Sequence, residues 1–245
     1  MDSTVRVRRI AILDTCIDHA EFAQRMPNDG DKFKELLQPL RTDWVFDVVL
    51  VKDGVFPKTP NDYDGYVIIG SPMSVNGPEP WIAELLEFIR QVESAQTPMF
   101  GACFGHQAIA KALGGKVEKS KRGWGLGVAN THFTKSASWM RPKLTDVELF
   151  AAHQEQVTQL PATAEILGCS EHCPVGAFHI GSHVFTTEYH PEMSHEFMTA
   201  VIDNLASYLD DETLRRSKKS MTIPTQGKEF AHWIVNFLDQ EKGAA

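Results

Sequence analysis

Residues Thr97–Gly115 read TPMFGACFGHQAIAKALGG, and their centre is Gly101-Ala102-Cys103-Phe104-Gly105. A short apolar run, Pro98-Met99-Phe100, ends in Gly-Ala and a cysteine follows. Phe104 to Leu113 then carries helical spacing and stops at Gly114-Gly115, a helix C-terminus signal. The order is strand, sharp turn, helix. Gly-x-Cys-x-Gly has the form of a nucleophile elbow, in which the reactive side chain stands on a strained strand-to-helix turn above a sheet. Glycine two before and two after the cysteine has a steric reason, because a Cβ at either position would crowd strand against helix. The partial positive charge at the N-terminus of the helix favours thiolate over thiol. A small buried apolar cysteine is the competing reading, but it requires neither the glycines nor a helix start.

A thiolate needs a base, and the base an orienter. Val184 to Tyr189 reads as a strand of β-branched and aromatic residues, followed by His190-Pro191-Glu192. In an extended chain, residues i and i+2 project to the same side, so Glu192 can reach back to His190. Both motifs then lie at carboxyl ends of strands, where open α/β sheets carry their chemistry.

Gly-x-Cys-x-Gly-His-Gln, followed about 85 residues later by His-Pro-Glu, resembles the class I glutamine amidotransferases. The resemblance implies a doubly wound, mostly parallel α/β sheet with flanking helices, flavodoxin-like, plus a small antiparallel flap. It implies Cys103 as nucleophile, His190 as base and Glu192 as orienter. Gly70-Ser71-Pro72 is similar to the family's Gly-Gly-Pro loop, with serine at the second glycine. The backbone N–H groups of Ser71 and Phe104 would then form the oxyanion hole, although serine needs an ordinary φ there. Gly70 and Gln107 are assigned to substrate binding, Gln107 at the α-amino acid end; His106 is assigned to packing or surface.

The most informative departure is Ala152-His153-Gln154-Glu155. Glutamine-using members tend to carry Ser-His-Gly-Asp here. The present string resembles a stand-alone branch related to the amidotransferase domain of GMP synthetase, which includes plant γ-glutamyl peptidases. His153, Gln154 and Glu155 are therefore candidate substrate contacts, and a changed pocket wall implies a changed substrate; for His153 a surface loop is the alternative.

Composition agrees. The chain has 245 residues, a net charge of −8 and no basic run, which argues against nucleic acid as a partner. No stretch approaches a transmembrane span, and MDSTVRVRRIAILD has no apolar core of a signal peptide. Cys16, Cys103, Cys169 and Cys173 are scattered, in keeping with a reducing cytoplasm. Cys169, His172 and Cys173 lack a second ligand pair at zinc spacing and read as structural. No metal or cofactor is expected.

A single domain over residues 1–245 is expected. Strands are expected at Val5–Leu13, Trp44–Val51 and Tyr66–Ile69, alternating with helices through Phe33–Leu40 and Trp81–Glu93. Lys116–Ser120 and Gly125–Phe133 read as the flap strands. Pro174–Ile180 and His183–Tyr189 read as a hairpin, which outweighs a metal reading of His179 and His183. Ser194 is a plausible N-cap for a helix to Leu209. Asp210–Lys219 reads as a solvated connection, and 228–240 as a final helix docked on the sheet.

The chemistry expected is hydrolysis of the γ-amide of glutamine or of a γ-glutamyl compound through a cysteine thioester, the substrate being a small molecule. If ammonia is the leaving group, a separate synthetase partner is needed, since no P-loop is present. If the leaving group is an amino acid or alkylamine, the chain can act alone. A non-catalytic binding protein on the same fold, and a different cysteine hydrolase on a related sheet, are the further alternatives.

Overall fold

Phe100 lies in strand β4 (Met99–Ala102), where it pairs in parallel with Val67 of β3 (Gly65–Ile68) on one side and with Phe185 of β11 (Val184–Thr187) on the other. The computed structural model, which describes residues 6–240, builds outward from this strand. β1 (Arg9–Leu13) pairs with β3 and with β2 (Val45–Val49), both in parallel. Beyond β11 the pairing turns antiparallel through β10 (Ala177–Ile180), β9 (Glu165–Cys169), β6 (Gly125–Phe133) and β7 (Asp146–His153). The nine-stranded order is β2-β1-β3-β4-β11-β10-β9-β6-β7. The strands are covered on both faces, which is why the parallel ones read as near-continuous apolar runs.

Alternation along each strand divides the core. Ile10, Ile12, Val67, Phe100 and Phe185 face one layer, shared with Phe33 and Leu37 of α1 (Asp29–Leu37) and with Phe230, Trp233 and Phe237 of α6 (Gly227–Leu238). Ala11, Leu13, Ile68 and Met99 face the other, shared with α2 (Pro80–Ser94) and α3 (Phe104–Ala112). Phe185 packs on Phe100 at 5.2 Å and on Phe230 at 5.6 Å between ring centroids. Truncating such a ring to alanine costs about 3–5 kcal/mol, so the C-terminal helix is docked through the sheet's own core.

Most sequence boundaries agree within a few residues. The first strand begins at Arg9, and Val5 lies outside the described residues. The His179/His183 segment forms the expected hairpin, closed through Gly181. Ser194 caps α4 (His195–Leu205) by accepting from the Phe197 N–H at 3.1 Å.

Two expectations are corrected. Gly125–Phe133 is not a flap strand; it joins the main sheet as β6. The two-stranded flap is β5 (Lys116–Lys119) paired with β8 (Glu155–Gln159). Asp210–Lys219 is not a solvated connection but the N-cap and all except the last residue of helix α5 (Asp211–Ser220). Asp210 caps it through the Thr213 N–H at 2.8 Å, with acids in the first turn and Lys218 and Lys219 in the last, as the helix dipole favours. The Ser220 hydroxyl accepts from the Val128 N–H at 2.9 Å, tying α5 to β6. No helix among the described residues is long and apolar enough to cross a membrane.

Candidate active site

Cys103 is the N-cap of α3 and has φ 48° and ψ −106°, a region disfavoured for any residue with a Cβ and costing on the order of 1–3 kcal/mol. Hydrogen bonds on both sides hold it there: its N–H donates to the Thr187 carbonyl at 2.9 Å, and its carbonyl accepts from the Gln107 N–H at 3.0 Å. The flanking glycines are sterically required. A Cβ on Gly101 would come within 2.7 Å of the Gly105 backbone, and one on Gly105 within 2.2 Å of the Ile68 carbonyl oxygen.

His190 arrives from the far side of β4. β11 lies beside β4, the chain bends after Thr187, and the His190 N–H donates to the Phe150 carbonyl at 2.8 Å. Its Nδ1 lies 2.7 Å from Glu192 Oε1, both side chains being buried. Its Nε2 has no hydrogen-bond partner among the described residues. Burial opposes a charge on this ring. The Glu192 carboxylate and the neighbouring Cys103 sulfur outweigh burial and hold its pKa well above the ordinary value.

Cys103, His190 and Glu192 line one cavity of about 460 Å³ together with Gly70, Ser71, Phe104, Gln107, His153, Gln154 and Glu155. Every residue assigned from the sequence is thus brought to one place. Gly70 is packed against the imidazole, since a Cβ there would stand 2.7 Å from His190 Cε1. Ser71 keeps an ordinary φ: among the described non-glycine residues, positive values occur at Gln96 and Cys103. The loop therefore accommodates serine without strain.

The substrate-side residues form a bonded set. The Glu155 carbonyl accepts from Gln107 Nε2 at 3.0 Å and from His153 Nδ1 at 3.1 Å, and the Glu155 carboxylate accepts from the Ser74 hydroxyl at 2.7 Å. His153 is buried, not on a surface loop, and burial pushes its pKa down to about 3. It is a neutral ring with its hydrogen on Nδ1. His106 is fully buried against Phe178 and bonded to Thr186. The other three cysteines are free, as Cys103 is.

The sequence reading missed Glu188, which is 0% exposed and accepts from Gln107 Nε2 at 2.7 Å. The available signal was a carboxylate inside an otherwise β-branched and aromatic run. It also missed the apolar part of the cavity lining, made by Phe22, Met193, Phe197, Val201 and Leu205. The Phe22 and Phe197 rings lie 5.5 Å apart there.

A buried cysteine on a strained turn, with an imidazole–carboxylate pair over the same cavity, is the arrangement that cysteine-dependent acyl transfer requires. The chain belongs to the class I glutamine amidotransferase family, whose profile, glutamine amidotransferase class-I, matches residues 39–206. It is an enzyme of amide-bond hydrolysis. It is 34% identical over 205 residues to gamma-glutamyl peptidase 3 of Arabidopsis thaliana, an alignment spanning 79% of this chain and 82% of that protein. It is 30% identical over 135 residues to the glutamine-hydrolyzing GMP synthase of Dehalococcoides mccartyi, across 54% of this chain and 24% of the synthase. Among solved structures, a glutamine amidotransferase of Thermotoga maritima superposes with a TM-score of 0.72 at 20% identity, covering 96% of this chain and all of the other, which establishes the shared fold.

Proposed function

We propose that this protein hydrolyses the γ-amide bond of γ-glutamyl compounds through a thioester on Cys103, with Cys103, His190 and Glu192 acting as a triad. The thiol proton passes to His190, and the sulfur attacks the γ-carbonyl carbon. The oxyanion of the tetrahedral intermediate accepts from the backbone N–H groups of Ser71 and Phe104; neither has an acceptor among the described residues. His190, its charge stabilised by Glu192 at 2.7 Å, gives its proton to the departing amine, and the C–N bond breaks. Water enters, loses a proton to the same imidazole and attacks the thioester; the thiol is regenerated as glutamate leaves. Gly70, Gln107, His153, Gln154 and Glu155 hold the glutamyl end.

One observation favours a leaving group larger than ammonia. The cavity that Cys103, His190 and Glu192 line also includes the apolar side chains of Phe22, Met193 and Phe197, and its volume of about 460 Å³ lies within the roughly 300–1,000 Å³ of sites that enclose sizeable ligands. The likeness to gamma-glutamyl peptidase 3 across most of both chains supports the same reading.

The second reading is a glutaminase subunit that passes ammonia to a separate synthetase, favoured by the likeness to about a quarter of a GMP synthase. Glutamate release from glutamine and from a panel of γ-glutamyl dipeptides and amides, with Cys103→Ala as blank, separates the two. Release from γ-glutamyl dipeptides well above glutamine supports the self-contained hydrolase. Release from glutamine alone supports the subunit, and no cysteine-dependent release overturns both in favour of a binding protein.

A further inference from the structure

Behind the Gln107 wall of the cavity runs a row of buried polar groups that the reaction above does not use. The Thr186 hydroxyl donates to the Phe178 carbonyl at 3.1 Å, and its oxygen lies 2.8 Å from His106 Nδ1. With the hydroxyl hydrogen directed at Phe178, His106 donates from Nδ1 and its Nε2 is a lone pair. That lone pair faces Glu188 Oε2 at 3.4 Å, and both atoms are buried without another partner among the described residues. On the other oxygen, Glu188 accepts from Gln107 Nε2 at 2.7 Å, and the second hydrogen of that amide goes to the Glu155 carbonyl at 3.0 Å.

With the hydroxyl hydrogen on the Phe178 side, the row is satisfied throughout when Glu188 is protonated; turning the hydroxyl to His106 Nδ1 would put a hydrogen on Nε2 for an ionised Glu188, at the loss of the Phe178 bond. If Glu188 carries a hydrogen on Oε2, it donates to His106 and accepts from Gln107. If Glu188 is an anion while that Phe178 bond is kept, two buried lone pairs oppose each other, which costs the desolvation of both groups. The surroundings favour the acid. Glu188 is fully buried among Cys103 at the start of α3, His106 and Gln107 on α3, His153 at the end of β7 (3.9 Å), Glu155 on β8, Cys173 and Tyr189 on the loops flanking the β10–β11 hairpin, and His190. Burial, and then the Cys103 sulfur, raise its pKa well above 4.5, while Gln107 and His190 oppose them less strongly. Burial pushes His106 down to about 3, so no imidazolium is present to pair with a carboxylate.

We propose that Glu188 is a positioning residue which, as an uncharged donor and acceptor, locks the Gln107 amide with its oxygen toward the cavity. Both hydrogens of the amide are engaged, so the wall presents Gln107 Oε1 as an acceptor. An acceptor there fits the α-ammonium of a γ-glutamyl group and rejects an acyl group whose α-amine is blocked. This rests on the γ-glutamyl hydrolase reading.

Glutamine is the diagnostic substitution, because its amide donates on one side and accepts on the other as the acid does. In Glu188→Gln, KM for a γ-glutamyl dipeptide is expected to stay within about threefold of the parent at pH 7. Glu188→Met, which removes the lock, is expected to raise KM about tenfold or more with a smaller change in kcat. Equal damage from Glu188→Gln and Glu188→Met would overturn the proposal in favour of an anion, and an unchanged KM in Glu188→Met would make the residue packing alone. A stability arm reads protonation independently of turnover. Parent and Glu188→Gln are expected to melt together below pH 4.5 and to separate above it, with Glu188→Gln the more stable. Absent glutamate release with that separation intact would sink the hydrolase reading while leaving the acid in place. Coincident melting curves at all pH values would overturn the proposal whatever the activity.

Discussion

The backbone N–H of Cys103 donates to the carbonyl of Thr187 at 2.9 Å, so the turn that carries the sulfur is bonded to the strand end that delivers His190 three residues later. One hydrogen bond joins two motifs far apart in sequence, and it holds Cys103 at a φ of 48°.

That conformation stores strain which glycine would relieve. Cys103→Gly is expected to exceed Cys103→Ala in stability by about 1 kcal/mol, because glycine adopts positive φ without a Cβ clash. Both are expected to lack turnover. Urea midpoints of the two variants check the order.

Gly70 tests how closely the loop is fitted to the imidazole. Its Cβ would come 2.7 Å from His190 Cε1, so Gly70→Ala displaces the ring. A displacement of this size is expected to lower kcat about 10²-fold. Circular dichroism and thermal melting are expected to show a folded protein, because the clash falls on a cavity-lining side chain.

On the proposed mechanism, Glu192 is expected to set how far into alkaline pH the reaction persists. The raised His190 pKa would keep the imidazolium available for the leaving amine above pH 6.5, so the alkaline limb of kcat is expected above that value. Glu192→Gln removes the charge that opposes burial. The limb is then expected to move to lower pH, with kcat down by ~10²–10⁴-fold as for other orienting carboxylates.

His106 and His153 limit stability in acid. Both have folded pKa values of about 3 because burial excludes the charged ring, against 6.5 ordinarily. Their contribution is complete above pH 6.5 and is lost as pH falls toward 3, since the unfolded chain takes up protons that the folded one refuses. Each is expected to remove about 1.4 kcal/mol per pH unit within that window. Urea midpoints against pH check this, and His153→Asn, which keeps a donor for the Glu155 carbonyl, is expected to flatten the slope by one proton.

How far the sequence led depended on whether the constraint was local. At Gly101 and Gly105 the clash that excludes a side chain arises from a strand, a turn and a helix next to each other in sequence, so the glycines are visible as a pattern. The parallel strands are buried on both faces and read as apolar runs. Helix α5 was hidden because DETLRRSKKS offers Leu214 as its one apolar anchor, and its capping and dipole signals resemble any charged loop. The partner of β5 was hidden because KVEK carries no register information; its pairing with β8 is decided by the path of the chain between them. Glu188 passed unremarked inside the strand-like run Val184–Tyr189, and the packing of α3 against β11 is what sets it beside Gln107.

The central claim is a γ-glutamyl thioester on Cys103, and its most direct test is rapid acid quenching during turnover of a γ-glutamyl dipeptide, followed by peptide mapping by mass spectrometry. The expected result is a transient mass gain of one glutamyl group on the peptide containing Cys103, lost on incubation in neutral buffer and absent from Cys103→Ala. An adduct on Cys16, Cys169 or Cys173, or glutamate release undiminished in Cys103→Ala, would contradict it.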